Sequence, residues 1–336
     1  MRAYFKNLRP GTIAGLTPVL FMLGSTPAAG QAPGKAVIIS TSSINGETVS
    51  CGCKKKDLGG IARRSTVVKE ARSQNKSVLL VDAGDFGSHV VFKPWMRTEF
   101  QWKMMKELGY DVVTPGPNEM THGLLALKNL YNTAPAIQVV SANVTDREEN
   151  PVWLDHALIE KGGVVYGVTG VTDKAYYSFN LSKGVQLKDD FKFGDLKGSL
   201  ERVLPLLREK ADIVVLLLHT GPADARRLLE DIEGVDVAVI GHTPGYKFIP
   251  ERINNTLLIR AGERGQYVSV LELALDENKS IADYNGESRP MGDTIIQDET
   301  FLSTITVFNK KYDDMRAADQ PEKVAAEKSQ AEAEVD

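Results

Sequence analysis

Cysteine is nearly absent from this chain. Only Cys51 and Cys53 stand among 336 residues, so no disulfide framework holds the fold. Histidine is also scarce, with five in all, which confines any imidazole-based metal site to a few positions. No charge of one sign dominates. The 40 lysines and arginines face 44 aspartates and glutamates, a net charge of −4. That balance leaves no cationic excess for a phosphate backbone and points away from nucleic acid as a partner. The sequence has no C-x-x-C-H, and hence no c-type haem of its own. Long apolar runs are missing too. Residues 13–23 are apolar but fall short of the ~20 residues a membrane span needs, and no later segment comes closer.

What is present begins with that stretch. Arg2, Lys6 and Arg9 precede it, and a small-residue segment, 25–32, follows. This order reads as a secretory signal with cleavage after Ala29 or Ala32. An uncleaved anchor is the alternative. The mature protein is then expected to be periplasmic or secreted, with no stable membrane span. Hydrophobic residues make up 42% of the chain and charged residues 25%, an ordinary globular composition able to bury a large core.

From residue 35 onward, apolar β-branched runs alternate with helical spacing. Strands are expected at 35–40, 77–81, 111–114, 137–141, 164–171, 213–218 and 235–240. Helices are expected at 58–74, 95–108, 124–131, 196–210 and 223–232. Runs such as IVVLLL at 213–218 predict burial on both faces. A strand–turn–strand pattern occupies 256–274. The layout is therefore a signal at 1–32 and an α/β domain at 33–276. A polar loop and packing helix at 277–316 and a charged tail at 317–336 complete it.

Short polar motifs close the apolar runs: T-S-S-I-N-G at 41–46, D-A-G-D at 82–85, G-P-N-E at 116–119, L-L-L-H-T-G at 216–221 and G-H-T-P at 241–244. Strand ends are where open α/β sheets place their ligands. Further stretches are LGGIARR at 58–64, LGYDVVTPGPNE at 108–119, VSANV at 140–144 and LLIRAGERGQYVSVLEL at 257–273.

Taken in this order, the motifs resemble the catalytic domain of the 5'-nucleotidase branch of calcineurin-like metallophosphoesterases, over residues 35–276. That family shows T-N-D-x-H-G, G-D, G-N-H-E, a lone histidine after a strand, and G-H-x-H. The resemblance implies a four-layer α/β/β/α sandwich with two mixed sheets. It also implies a dinuclear metal site in which two ions clamp a phosphate.

Carried over position by position, the site is eroded. The family's first Asp and His fall on Ser43 and Asn45. The bridging Asp falls on Asp85. The ligand Asn falls on Pro117 and the general-acid His on Asn118, which does not titrate. The lone His falls on His219. The last motif gives His242 and, in place of its second His, Pro244. The resemblance therefore implies a first site reduced to Asp85 and a second that keeps Asp85, His219 and His242. Such a set suits at most one divalent metal, zinc or iron rather than magnesium, or none. Asp82, Glu119 and His122 are nearby spare ligands; His89 and His156 read as surface or structural histidines. Arg63 and Arg64 could meet an anion but are expected to be solvated on an amphipathic helix. The chain ends about where the family's nucleoside-stacking domain would begin.

Three functions follow as expectations. The first is an exported, non-catalytic binding protein whose partner is another exported protein or a phosphate-containing small molecule. The second is a slow mononuclear phosphoesterase on nucleotides or other phosphate monoesters. The third is a redox or metal-handling protein using Cys51 and Cys53. Lys54, Lys55 and Lys56 would favour thiolates there; a structural disulfide is the plainer reading.

Overall fold

The computed structural model describes residues 34–52, 56–88, 91–176, 190–242 and 249–326. The expected signal, the tail beyond residue 326, and the positions of Cys53, His89 and Pro244 lie outside them.

Two six-stranded sheets pack face to face. The first is built on β1 (Gly34–Thr41), which runs parallel to β2 (Val78–Asp82). β3 (Val112–Val113) and β4 (Gln138–Val139) continue the parallel set. On the other side of β1 lie β13 (Tyr267–Leu275) and β14 (Ile281–Pro290), both antiparallel to their neighbours. The second sheet has four parallel strands: β7 (Val164–Thr172), β9 (Ile213–His219), β10 (Val237–Gly241) and β12 (Thr256–Arg260). Antiparallel edges close it, β6 (His156–Lys161) and β11 (Glu251–Ile253). A small separate pair joins β5 (Val144–Thr145) to β8 (Lys192–Phe193).

Strand alternation divides the interior into layers. Ile38, Leu79, Val81 and Val112 point between the sheets and meet Val168, Val215, Leu217, Val237 and Val239. The opposite set, with Ile39, Leu80 and Val113, packs under α1 (Ile61–Gln74), α2 (Pro94–Leu108), α4 (Leu124–Tyr131) and α7 (Glu299–Asp319). On the far side, Val214, Leu216 and Leu218 pack under α5 (Leu196–Arg208) and α6 (Pro222–Asp231). This is the expected four-layer α/β/β/α sandwich. No helix among the described residues is long and apolar enough to cross a membrane.

Two expectations need correction. Residues 281–290, read as part of a polar loop, form β14 along the whole of β13. An edge strand with one open face carries polar residues on that face and needs few apolar ones on the other. Arg63 and Arg64 are buried, at 5% and 1% exposure. The first turns of α1 are covered on every side, because the 291–298 segment and α7 lie over what would be its outer face.

Candidate metal centre

Five parallel strands deliver the site. β1, β2 and β3 end beside β9 and β10, so the loops at 42–46, 83–88 and 114–119 face His219 and His242. Ser43, Asn45, Asp85 and His242 all sit in the left-handed region, with φ of 49°, 57°, 58° and 51°. This backbone is costly for residues with a Cβ and is held by its surroundings. The loops bond one another: Ser43 N–H donates to Gly84 O and Asn45 N–H to Asp85 O, both at 2.8 Å.

Asp85, His219 and His242 converge. One ligand atom from each lies within 4.8 Å of the others. Asp85 Oδ2 is 3.4 Å from His219 Nε2 and 3.0 Å from His242 Nδ1. His219 is completely buried, and its Nδ1 lies 2.7 Å from Ala83 O. That carbonyl accepts the Nδ1 proton and fixes the tautomer, leaving Nε2 aimed at Asp85. Nε2 makes no hydrogen bond. A fully buried imidazole nitrogen without a hydrogen bond, facing a carboxylate and a second imidazole, fits a divalent cation. His242 keeps about a quarter of its side chain exposed, which opens one side to solvent. Burial pushes the Asp85 carboxyl up, but the facing His219 and His242 more than offset it and hold it below the usual carboxylate range. Burial opposes charging His219, yet Asp85 beside it raises it overall.

The residues that stand where the resemblance implies further ligands have other partners. Asn118 Nδ2 donates to Asn45 Oδ1 at 2.8 Å, so the residues that the resemblance sets at the general-acid and histidine-ligand positions bond each other. Ser43 Oγ accepts the His242 backbone N–H at 3.1 Å. Pro117 begins the short helix α3 (Pro117–Met120) and offers no donor atom. Asn118 N–H also donates to Asp85 Oδ1.

None of the spare ligands joins the cluster. Glu119 is buried and accepts from the backbone N–H of Asp85, Gly116 and Gly87, tying two site loops together. Burial, with Asp85 nearby, raises its carboxyl well above the ordinary value. His122 Nε2 contacts Thr98 Oγ1 and Ser88 O, and its ring lies 4.9 Å from Trp95. Asp82 accepts from Thr41 Oγ1 and Gly84 N–H. His156 sits on the edge strand β6 beside Asp155. Sequence reasoning missed Tyr176, whose ring lies 4.4 Å from that of His242, tilted by 53°. No motif marks it.

Cys51 is exposed and disulfide-bonded, so in this state it offers no thiolate to a soft metal. Its N–H donates to Leu58 O. Gly52 N–H donates to Asp57, which Arg63 holds at 2.9 Å. Arg63 also donates to the carbonyls of Asp57, Gly59 and Met291.

No protein-family model matches the chain. It is 23% identical over 321 residues to a 5'-nucleotidase of Diplobatis ommata, covering 87% of this chain and 54% of that protein. It is 24% identical to a snake venom 5'-nucleotidase of Crotalus adamanteus, over 75% of this chain and 46% of that one. The chain thus spans about half the length of these curated relatives. Its fold superimposes on the calcineurin-like phosphoesterase YfkN of Bacillus subtilis with a TM-score of 0.69 at 20% identity, over 83% of this chain and 98% of that one. The chain thus has a calcineurin-like sandwich, and over most of its length it is similar in sequence to 5'-nucleotidases, with its strand-end motifs in the order of that branch of the metallophosphoesterase superfamily.

Proposed function

We propose that the protein is an exported, single-metal descendant of this branch that binds its ligand and does not turn it over efficiently. One observation carries the reading. Asp85, His219 and His242 still converge with His219 Nε2 free of hydrogen bonds, while Asn45 and Asn118 have closed on each other. Two imidazoles and a carboxylate favour zinc or iron over magnesium. An ion held there supplies a Lewis acid toward a phosphoryl oxygen.

The chain's own residues set the limits. Asn118 cannot donate a proton to a leaving oxygen, a loss that costs roughly 10²–10⁴-fold. Without a first set of ligands, half of the charge clamp is gone as well. What remains is an open face beside His242 and Tyr176, suited to a phosphate-containing small molecule or to a segment of another exported protein. The basic, then apolar, then small-residue order at 1–32 supports export, and a venom relative agrees with it.

Metal content of the mature protein, purified without chelators, tests the proposal by mass spectrometry alongside assays on 5'-nucleotides. The expectation is one divalent metal per chain, lost in His219→Ala, with hydrolysis near background. Two metals per chain, or turnover near the ~10 s⁻¹ of an ordinary enzyme, would overturn it.

A further inference from the structure

Behind the metal centre, on the helix side of the first sheet, lies a buried charge that the site does not use. Arg64 on α1 is 1% exposed, and among the described residues its Nε and Nη2 have no acceptor. Nη1 donates to the Tyr110 hydroxyl at 3.4 Å. Tyr110 Oη lies 2.8 Å from Thr41 Oγ1, and Thr41 Oγ1 donates to Asp82 Oδ2 at 2.6 Å. Tyr110, Thr41 and Asp82 are 2%, 1% and 0% exposed. A guanidinium can only donate and a carboxylate can only accept. The two hydroxyls between them are therefore polarised in one direction, each donating toward Asp82.

The relay ends at the metal centre. Asp82 Oδ1 accepts the Gly84 N–H at 2.8 Å, which fixes the turn that follows β2. Ala83 lies inside that turn, and its carbonyl holds His219 Nδ1 at 2.7 Å. The fit is close, since a Cβ on Gly84 would stand 2.6 Å from His219 Nδ1. Burial pushes the Asp82 carboxyl up to about 7, while the Thr41 hydroxyl, the Gly84 N–H and the Arg64 charge pull it back down and so favour its ionised form.

We propose that Arg64 is a positioning residue for the metal ligand His219, acting through Tyr110, Thr41 and Asp82 to hold the Ala83 carbonyl in place. This rests on the single-metal reading of Asp85, His219 and His242, but reaches residues on the far side of the strand. Outer-shell partners of this kind typically set metal affinity by 10–100-fold.

The test has two arms on the full chain. In the metal-free protein, histidine-labelled nitrogen NMR reads the Nδ1 proton and tautomer of His219. Titration with Co²⁺ reads affinity. Wild type and Arg64→Lys are expected to keep a slowly exchanging Nδ1 proton. Arg64→Met should lose it and bind Co²⁺ at least ~10-fold more weakly. Tyr110→Phe, nearly isosteric, should behave alike and serves if Arg64→Met does not fold. The double variant Arg64→Met/Asp82→Asn removes both charges and leaves an amide oxygen for Gly84. It should recover to within about threefold of wild type, because coupled residues are not additive. Folded Arg64→Met or Tyr110→Phe with an unchanged Nδ1 signal and affinity would overturn the inference. So would a double variant in which the two losses multiply. If wild type binds no Co²⁺ at all, the single-metal reading fails by itself, and the Nδ1 signal still decides the role of Arg64.

Discussion

The fate of each eroded ligand depends on what its neighbours could offer. Ser43, Asn45, Pro117 and Asn118 were legible as departures because their motifs keep their order in the sequence. Their new partners were not legible. That Asn118 donates to Asn45 and Ser43 accepts from His242 N–H depends on loops 73 and 199 residues apart in sequence. The burial of Arg63 and Arg64 was equally hidden, since helical spacing alone cannot show what lies over an outer face. Small residues matter at this scale. Gly241 ends β10 beside His219, and a Cβ there would overlap Ala83 O and stand 2.8 Å from His219 Nδ1. Gly241→Ala is therefore expected to displace the carbonyl that orients His219. Calorimetric titration should show metal affinity falling by roughly 10-fold or more, with circular dichroism unchanged.

Among the elements, buried parallel strands were the most readable, because a run such as 213–218 is apolar on both faces. Edge elements were the least. β14 reads as loop from its polar sequence, and β6 and β11 carry no pattern strong enough to mark a strand. The packing helix expected within 277–316 runs from Glu299 to Asp319. Its start is set by Asp298, which accepts from the N–H of Thr300 and Phe301 and is also bonded by Ser65 and Lys69 of α1. One carboxylate thus caps α7 and joins it to α1. Burial works against its ionisation, yet Lys69, Ser65 and the Phe301 N–H outweigh it and hold the carboxyl below the ordinary value. Its stabilising contribution is fully present above the unfolded value of about 3.9 and is lost as pH falls through the lower folded value. Asp298→Ala should cost roughly 1–2 kcal/mol at pH 7. Urea titrations at falling pH should show the gap between variant and wild type shrinking in strong acid.

Across the whole molecule, the sandwich was legible from alternation and motif order together, whereas the strand order within each sheet was not. Sheet neighbours are set by long-range pairing: β13 lies beside β1 although more than 200 residues separate them in sequence. The metal ligands straddle this architecture. Asp85 follows β2 of the first sheet; His219 ends β9 and His242 follows β10 in the second. An ion bound there would tie the two sheets together and stabilise the folded state by mass action. At a hundredfold excess over Kd the gain is about 2.7 kcal/mol, several degrees in Tm for a domain of this size. Differential scanning calorimetry should show that rise with zinc, and His242→Ala should abolish it.

The Asn45–Asn118 pair also bears on what it would take to build a second metal position here. Asn118→His takes away the amide that Asn45 Oδ1 accepts from, and Asn45→His takes away the oxygen that Asn118 donates to. Either step alone disturbs a partly buried hydrogen bond, a loss of roughly 0.5–1.5 kcal/mol, while in Asn45→His the Asn118 Nδ2 keeps Gly87 O at 3.4 Å. Under the two-ion pattern that the resemblance implies, one histidine placed at 45 or 118 loosens this pairing of loops without supplying a second ion, so rebuilding that pattern calls for several changes made together.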